Sequence, residues 1–293
     1  MSDTLPSIAF IGAGSMGGAI VRGLVAGGIG VDGGIVVTNR TAARAASLTG
    51  LDGVTSVALE DQPNANAEAV AAARVVVLGV KPQLMPELLL ELAPHVRDDA
   101  IVVTLAAGVP LSAYEVRLPG TSVVRAMPNT PSTVGRGVTG IAAGTHATAD
   151  DVAIVRRLFE TVGEVIEVDG DDGIDAISTI SGSGPAYVYL FIEKLAEAAR
   201  HRGFSDEDAL LLAARTFSGA TALLDAEGEP PAELRRRVTS PRGTTERAIA
   251  VLEDAGIGQV LRDATDAAFA RAKELAGTIA APPTEAIILK SSD

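Results

Sequence analysis

Six residues near the start of the chain, Gly12-Ala13-Gly14-Ser15-Met16-Gly17, constrain its fold more than any other segment. They follow a short apolar run, Ile8-Ala9-Phe10-Ile11, and open a stretch from Met16 to Val25 with apolar residues at helical spacing, closed by Gly27-Gly28. Strand, tight turn and helix in that order start a βαβ unit, and G-x-G-x-x-G at the turn divides the work among its glycines. Gly12 permits the sharp turn, Gly14 lets a pyrophosphate approach the backbone, and Gly17 lets the helix pack closely on the strand. The helix N-terminus adds unpaired N–H donors. Gly12, Ala13, Gly14, Ser15, Met16 and Gly17 are therefore expected to bind a dinucleotide.

The alternation continues. Ile35 to Thr38, Val75 to Val80, Ile101 to Leu105 and Ser122 to Ala126 read as strands, with helices over Thr41 to Leu48, Glu87 to Val96 and Leu111 to Arg117. Such alternation implies right-handed crossovers and a mainly parallel sheet covered on both faces. A helix from Val152 to Thr161 and a strand from Glu164 to Val168 precede the acidic segment Asp169-Gly170-Asp171-Asp172-Gly173, read as a boundary. Beyond it the pattern is helical: Ala186 to Arg202, Ser205 to Leu224, Thr245 to Ala255 and Gln259 to Leu275, separated by turns at Gly203, Glu227 to Pro231 and Gly256 to Gly258. The expected fold is an α/β Rossmann-type, doubly wound sheet over residues 1–168, followed by an all-α domain over 169–293 for substrate binding and dimerisation.

A length of 293 residues accommodates two such domains, and 47% hydrophobic with only 3% aromatic residues means cores of Ala, Val, Leu and Ile. A formal net charge of −13 argues against nucleic acid or an anionic membrane as partner. Without cysteine there is no disulfide or thiolate, and His95, His146 and His201 lack metal-ligand spacing, so no metal site is expected. The N-terminus lacks the pattern of a signal peptide and no uncharged run approaches a membrane span, which makes a cytoplasmic location the expectation.

At the end of the second strand the sequence reads Thr38-Asn39-Arg40-Thr41, with no carboxylate to repel a ribose phosphate. Arg40, with Asn39 beside it, favours NADPH over NADH. Val80-Lys81-Pro82 and Ala106-Ala107-Gly108 close later strands at the sheet edge where open α/β folds bind ligands, and Met127-Pro128-Asn129-Thr130-Pro131 closes the next. Each of these segments also reads as an ordinary strand-terminating turn. Far along the chain, Val238-Thr239-Ser240-Pro241-Arg242-Gly243-Thr244-Thr245 forms a polar turn opening onto a helix. It suits a small carboxylate, and equally a simple Ser or Thr cap.

Taken in order, these motifs and Ser181-Gly182-Ser183-Gly184-Pro185-Ala186-Tyr187 resemble the pyrroline-5-carboxylate reductase family over nearly the whole chain. The resemblance implies hydride transfer from NADPH, with NADH a weaker alternative, to the imine carbon of 1-pyrroline-5-carboxylate, giving L-proline. It implies that Ser240, Thr244 and Thr245 hold the substrate carboxylate, with Thr245, the catalytic candidate, near the ring nitrogen, and that Asn66 contacts the cofactor. It also implies a helical domain interlocked with a second subunit, and homodimers that in some members form larger rings. Asp171 aligns with a family glutamate and Arg237 with an asparagine, and both are carried over as substrate-binding positions. Arg242 replaces the first glycine of the family's Ser-Pro-Gly-Gly-Thr-Thr, and Pro230-Pro231 replaces a His-Pro.

These departures leave room for a paralogue acting on another cyclic imino acid. A β-hydroxyacid-type dehydrogenase would need a catalytic lysine, for which only Lys194, Lys273 and Lys290 stand in the helical half. A non-catalytic nucleotide sensor is the remaining alternative.

Overall fold

The structure is a computed structural model describing residues 4–280, with side chains described to residue 275. It divides into two compact units. The first runs through Gly182 and takes up the chain again from Ala268, and the second is Ser183–Ala267.

The first unit is built on one eight-stranded sheet of order β3-β2-β1-β4-β5-β6-β7-β8. Its strands are β1 (Ile8–Ile11), β2 (Ile35–Asn39), β3 (Val54–Ala58), β4 (Val75–Leu78), β5 (Ile101–Thr104), β6 (Ser122–Met127), β7 (Gly137–Ala143) and β8 (Gly163–Glu167). The order reverses direction at β1, which pairs in parallel with both β2 and β4. That is the switch point at which such sheets bind ligands.

The central strands are apolar throughout because both faces are covered. In β4, Val75 and Val77 enter one core with Ile20 and Leu24 of α1 (Ser15–Ala26) and with Val155, Leu158 and Phe159 of α6 (Ala149–Glu160). Val76 and Leu78 enter the other, against α3 (Ala65–Ala72), α4 (Met85–Leu92) and α5 (Leu111–Glu115). The short α2 (Ala42–Ala46) follows β2. Within the second core the Tyr114 hydroxyl pairs with Thr104 Oγ1 at 2.5 Å, and burial pushes the Tyr114 phenol above its ordinary range.

Several elements depart from the expectations in extent. Helix α6 starts at Ala149 rather than Val152, because Thr148 and Asp151 form a reciprocal capping box. Strand β7 is antiparallel to β6 and was hidden by its glycines. A Cβ on Gly140 would lie 2.7 Å from Ile177, so helix α7 (Gly170–Ile177) packs directly against that strand. The acidic segment read as a boundary is thus largely helix α7, with Ile174 and Asp175 buried.

The second unit is helical: α8 (Gly184–His201), α9 (Asp206–Glu227), α10 (Pro231–Arg237), α11 (Thr244–Asp254) and the first half of α12 (Ile257–Ala280). The turn expected after Glu227 ends in helix α10, where Pro231 takes the first helical position it suits. Its buried core is three alanines, Ala196, Ala209 and Ala213, where α8 and α9 cross. By contrast Leu190, Leu210, Leu211, Val251 and Val260 are all more than half exposed. Helix α9 has the length and hydropathy of a membrane span by composition alone, although Arg215 interrupts it and Asp206, Glu207 and Asp208 fill its first turn.

Candidate active site

An open cleft of about 270 Å³ lies along the C-terminal edge of the sheet, lined by Gly14, Ser15, Met16, Gly17, Gly79, Leu105, Ala107, Met127 and Pro128. The three loop glycines are glycine for different reasons. Gly12 sits at φ +80°, and a Cβ there would come 2.7 Å from Val80 Cγ1, while a Cβ on Gly79 would come 2.5 Å from the Gly12 carbonyl. Gly17 lies tight against Ala13 and Phe10, its Cβ position 3.3 Å from Ala13 Cβ. A Cβ on Gly14, however, would meet nothing within 4 Å, and its φ of −72° suits any residue. Nothing in the protein demands glycine there, whereas a pyrophosphate against the backbone would. Helix α1 has no side-chain cap and no acidic residue in its first turn, leaving its positive end for an anion.

On the β2 side of the loop, Asn39 is buried with Nδ2 lacking a partner, and Arg40 is exposed beside it. Arg40 is thus available to a phosphate at the ribose end. Asn66, on α3, is buried; its Oδ1 accepts from Thr38 Oγ1 at 2.7 Å and its Nδ2 donates to Glu91 at 3.2 Å. These bonds tie α3 to the end of β2, so Asn66 shapes this corner with its side chain already engaged. Val80 and Lys81 follow β4, Pro82 opens the 3-10 turn Pro82–Leu84, and Lys81 is exposed. Ala106 is buried, Ala107 faces the cleft, and Gly108 turns the chain at φ +72°. Gly79 and Leu105 are cleft residues outside the motifs read from the sequence, although Gly79 directly precedes Val80, while Met127 and Pro128 open a segment that was read there.

Behind the cleft lies an ionic cluster that the sequence signalled only as a charge inside an apolar strand, Arg125 in β6. Its side chain is 3% exposed; Nη1 donates to Asp171 at 2.6 Å and Nη2 to Asp175 at 2.8 Å. The Leu111 N–H donates to both oxygens of Asp171 at 3.1 Å. Lys273, on α12, pairs with Asp172 and lies 3.5 Å from Asp175, with its ammonium over the Phe269 ring. The hydrogen bond to Asp172 holds that ammonium above its ordinary pKa. A lysine so held is a poor proton acceptor, and Lys194 pairs with Glu197 at 2.9 Å, so neither suits the dehydrogenase alternative. Lys290 lies outside the described residues.

In the second unit, the Gly243 N–H donates to the Ser240 carbonyl at 3.0 Å, closing a turn through Pro241 and Arg242 onto α11. Arg242 sits at φ +62°, the one non-glycine residue with positive φ among those described. Proline followed by a residue of positive φ is the pattern of a type II turn, which favours glycine at the second position. An arginine in that left-handed position is strained where a glycine would not be. The Arg242 N–H donates to Glu246 at 2.8 Å, and α11 starts at Thr244 with no side-chain cap. Ser240 and Thr244 are exposed and Thr245 half-buried around that helix end. Arg237 is committed elsewhere: its nitrogens reach Glu227 at 2.6 Å, Glu229 at 3.1 Å and Glu233 at 3.3 Å, stapling α10 to the end of α9.

The sheet order, the glycine cleft and the apolar-faced helical unit define a dinucleotide-dependent oxidoreductase of the Rossmann type with an oligomer-forming helical half. Residues 7–108 match a family model described as NADP oxidoreductase, coenzyme F420-dependent, and residues 171–275 match one described as pyrroline-5-carboxylate reductase dimerisation. A pyrroline-5-carboxylate reductase of Pseudomonas aeruginosa is 39% identical over 275 residues, covering 92% of this chain and 97% of the relative. One of Pisum sativum is 36% identical, covering 94% and 97%. Among solved structures, the pyrroline-5-carboxylate reductase of Coxiella burnetii superposes with a TM-score of 0.84 at 38% identity, covering 94% of this chain and 99% of that one. The chain belongs to the pyrroline-5-carboxylate reductase family.

Proposed function

We propose that this protein reduces 1-pyrroline-5-carboxylate to L-proline with NADPH, the last step of proline biosynthesis. The observation that carries this reading, beside family membership, is the turn at Ser240–Thr245: a helix start with no side-chain cap whose sequence supplies Ser240, Thr244 and Thr245, in a chain that also carries a dinucleotide cleft. A carboxylate suits that helix end because it satisfies N–H groups that otherwise rely on water.

The residues of the first unit fit the cofactor. The N–H groups at Ser15, Met16 and Gly17 would hold the pyrophosphate, with Gly12 and Ala13 shaping the loop. Asn39 and Arg40 would read the adenosine end, Arg40 favouring NADPH over NADH, and Asn66 would brace that end. The segments Val80-Lys81-Pro82 and Ala106-Ala107-Gly108 would flank the nicotinamide end. When bound, the cofactor supplies the hydride. The chain's own contribution is orientation and charge: Ser240, Thr244 and Thr245 anchor the substrate carboxylate, and the Thr245 hydroxyl sits beside the ring nitrogen. A protonated imine is already electrophilic, so no metal or covalent nucleophile is required.

We assign the dinucleotide to residues 1–168 and substrate binding with dimerisation to 169–293. The exposed leucines of α9 and valines of α11 and α12 suit a homodimer interface, with further association of dimers into a ring, and the protein acts in the cytoplasm. Asp171 and Arg237 fit this scheme by holding neighbouring elements, since their polar atoms are engaged within the chain.

Substrate-dependent oxidation of NADPH, followed at steady state with 1-pyrroline-5-carboxylate, tests the reading. Turnover of a different cyclic imino acid, with none of this one, would transfer the assignment to a sister reductase. Arg242 favours that second reading, because its guanidinium stands exposed at the turn with no ion pair among the described residues.

A further inference from the structure

We infer that Asp171 is a positioning residue for the nicotinamide end of the cleft, acting by joining the two chain segments that wall it. The inference rests on reading the cleft as the cofactor site, and it concerns a residue whose place in the sequence suggested substrate contact.

The direction of the cofactor follows from the sheet. With the pyrophosphate at α1, the adenosine end lies toward β2, where Asn39 and Arg40 stand, so the nicotinamide end lies over β4, β5 and β6. The lining there comes from Leu105 and Ala107 after β5 and from Met127, the last residue of β6, with Pro128 beyond it. Asp171 reaches both segments. Its two oxygens accept from the Leu111 N–H, the first donor of α5, immediately after the turn from Ala107 to Pro110. Pro110, the N-cap of α5, offers no side-chain acceptor, so Asp171 serves as the cap from 60 residues away. Its Oδ1 also accepts from Arg125 Nη1.

Arg125 and Met127 lie two apart in β6 and project from the same face, since strand side chains alternate. A clamp on Arg125 therefore sets the strand that presents Met127. Asp175 takes the other guanidinium nitrogen, and Lys273 binds Asp172 and Asp175, so α7 is itself fixed and Asp171 does not drift. One carboxylate thus joins the turn that follows Ala107 to the strand that ends at Met127, in addition to the β5–β6 ladder. Both oxygens of Asp171 are engaged within the chain, on the Leu111 N–H and the Arg125 guanidinium.

The test uses the full-length protein and two ligands: NADPH, which reaches the nicotinamide end, and adenosine 2′,5′-bisphosphate, which occupies only the adenosine end. For Asp171→Asn, the dissociation constant for NADPH should rise on the order of tenfold while that for adenosine 2′,5′-bisphosphate stays within about twofold. In turnover, kcat should fall on the order of tenfold or more, with KM for the imino acid unchanged. Asp171→Glu should recover part of both losses. Should Asp171→Asn not fold, Asp171→Glu alone carries the test, its longer side chain weakening NADPH and sparing the bisphosphate. A rise in the imino-acid KM at constant kcat, or equal weakening of both nucleotides, would overturn the inference. Failure of the wild-type protein to bind either nucleotide would instead overturn the cofactor reading beneath it.

Discussion

The turn before α1 and the turn before α11 both open onto helices with no side-chain cap, and they are built on opposite plans. The glycine loop before α1 is backed by buried residues, with Ile11 and Ala13 almost inaccessible and the Gly12 and Gly79 backbones in near contact. The Ser240–Thr245 turn before α11 stands largely exposed in a unit whose buried core is three alanines. The first site is shaped by its own unit; the second is held by local bonds, Gly243 to Ser240, Arg242 to Glu246, and the Arg237 staple just upstream. A phosphate cradle must be rigid before the cofactor arrives. Under the proposed reading, a substrate turn on an apolar-faced helical unit would gain its surroundings on oligomerisation.

The strongest way to break this comparison is at Gly14. Gly14→Ala should weaken NADPH binding on the order of tenfold, and should leave the thermal midpoint nearly unchanged, because the added Cβ meets no protein atom within 4 Å. Gly12→Ala should do the reverse first, lowering the midpoint through its clash with Val80. Equal effects on folding at the two positions, read by calorimetry and cofactor titration, would remove the distinction.

Thr245→Val tests the second turn and should lower kcat about tenfold to a hundredfold if the hydroxyl meets the ring nitrogen. Thr245→Ser should retain most of the rate. A rise in KM alone, at unchanged kcat, would confine Thr245 to holding the carboxylate. Arg242→Gly releases a left-handed residue and should stabilise the protein by about 1 kcal/mol, measured by urea unfolding. A shift in substrate preference with that variant would show that the guanidinium reads a second anionic group.

The smallest effect concerns the staple. Arg236 first, then Arg237, holds the Glu233 carboxyl down to about 2, from 4.5. Because the folded value is the lower one, the contribution is complete above about pH 4.5 and fades as pH falls toward 2. Glu233→Gln should therefore narrow the gap from wild type as the medium is acidified through that window. The pair lies at the protein surface, so added salt should shrink the difference at neutral pH as well.

The central sheet was legible because Val75 to Leu78 and Ile101 to Thr104 are uninterrupted β-branched or aliphatic runs bounded by turns. Strand β7 was not, since Gly137 and Gly140 dilute its pattern for reasons visible only in three dimensions: Ser132 and Ile177 occupy the space of their side chains. The glycine loop could be read from spacing, since its constraint is local. The Arg125 cluster could not, because its partners come from α7 and α12, and an acidic, glycine-containing segment such as Asp169 to Gly173 looks like a solvated linker until a buried guanidinium is placed beside it. Arg242 lay between these cases. Sequence identified the turn and the arginine that replaces its first glycine, and the backbone angle showed that residue to be left-handed.

Helix α12 has a consequence for how the protein is made. Lys273 lies 101 positions after Asp172, its partner in the first unit, with the whole second unit threaded between them. As the chain leaves the ribosome, the sheet can form early, yet α7 must wait with Asp172 and Asp175 lacking their lysine until residue 273 has emerged. The sheet-bearing unit is begun before the helical one and sealed only after it, and a nascent chain stalled in the helical half would carry an unsealed acidic helix beside an otherwise complete sheet.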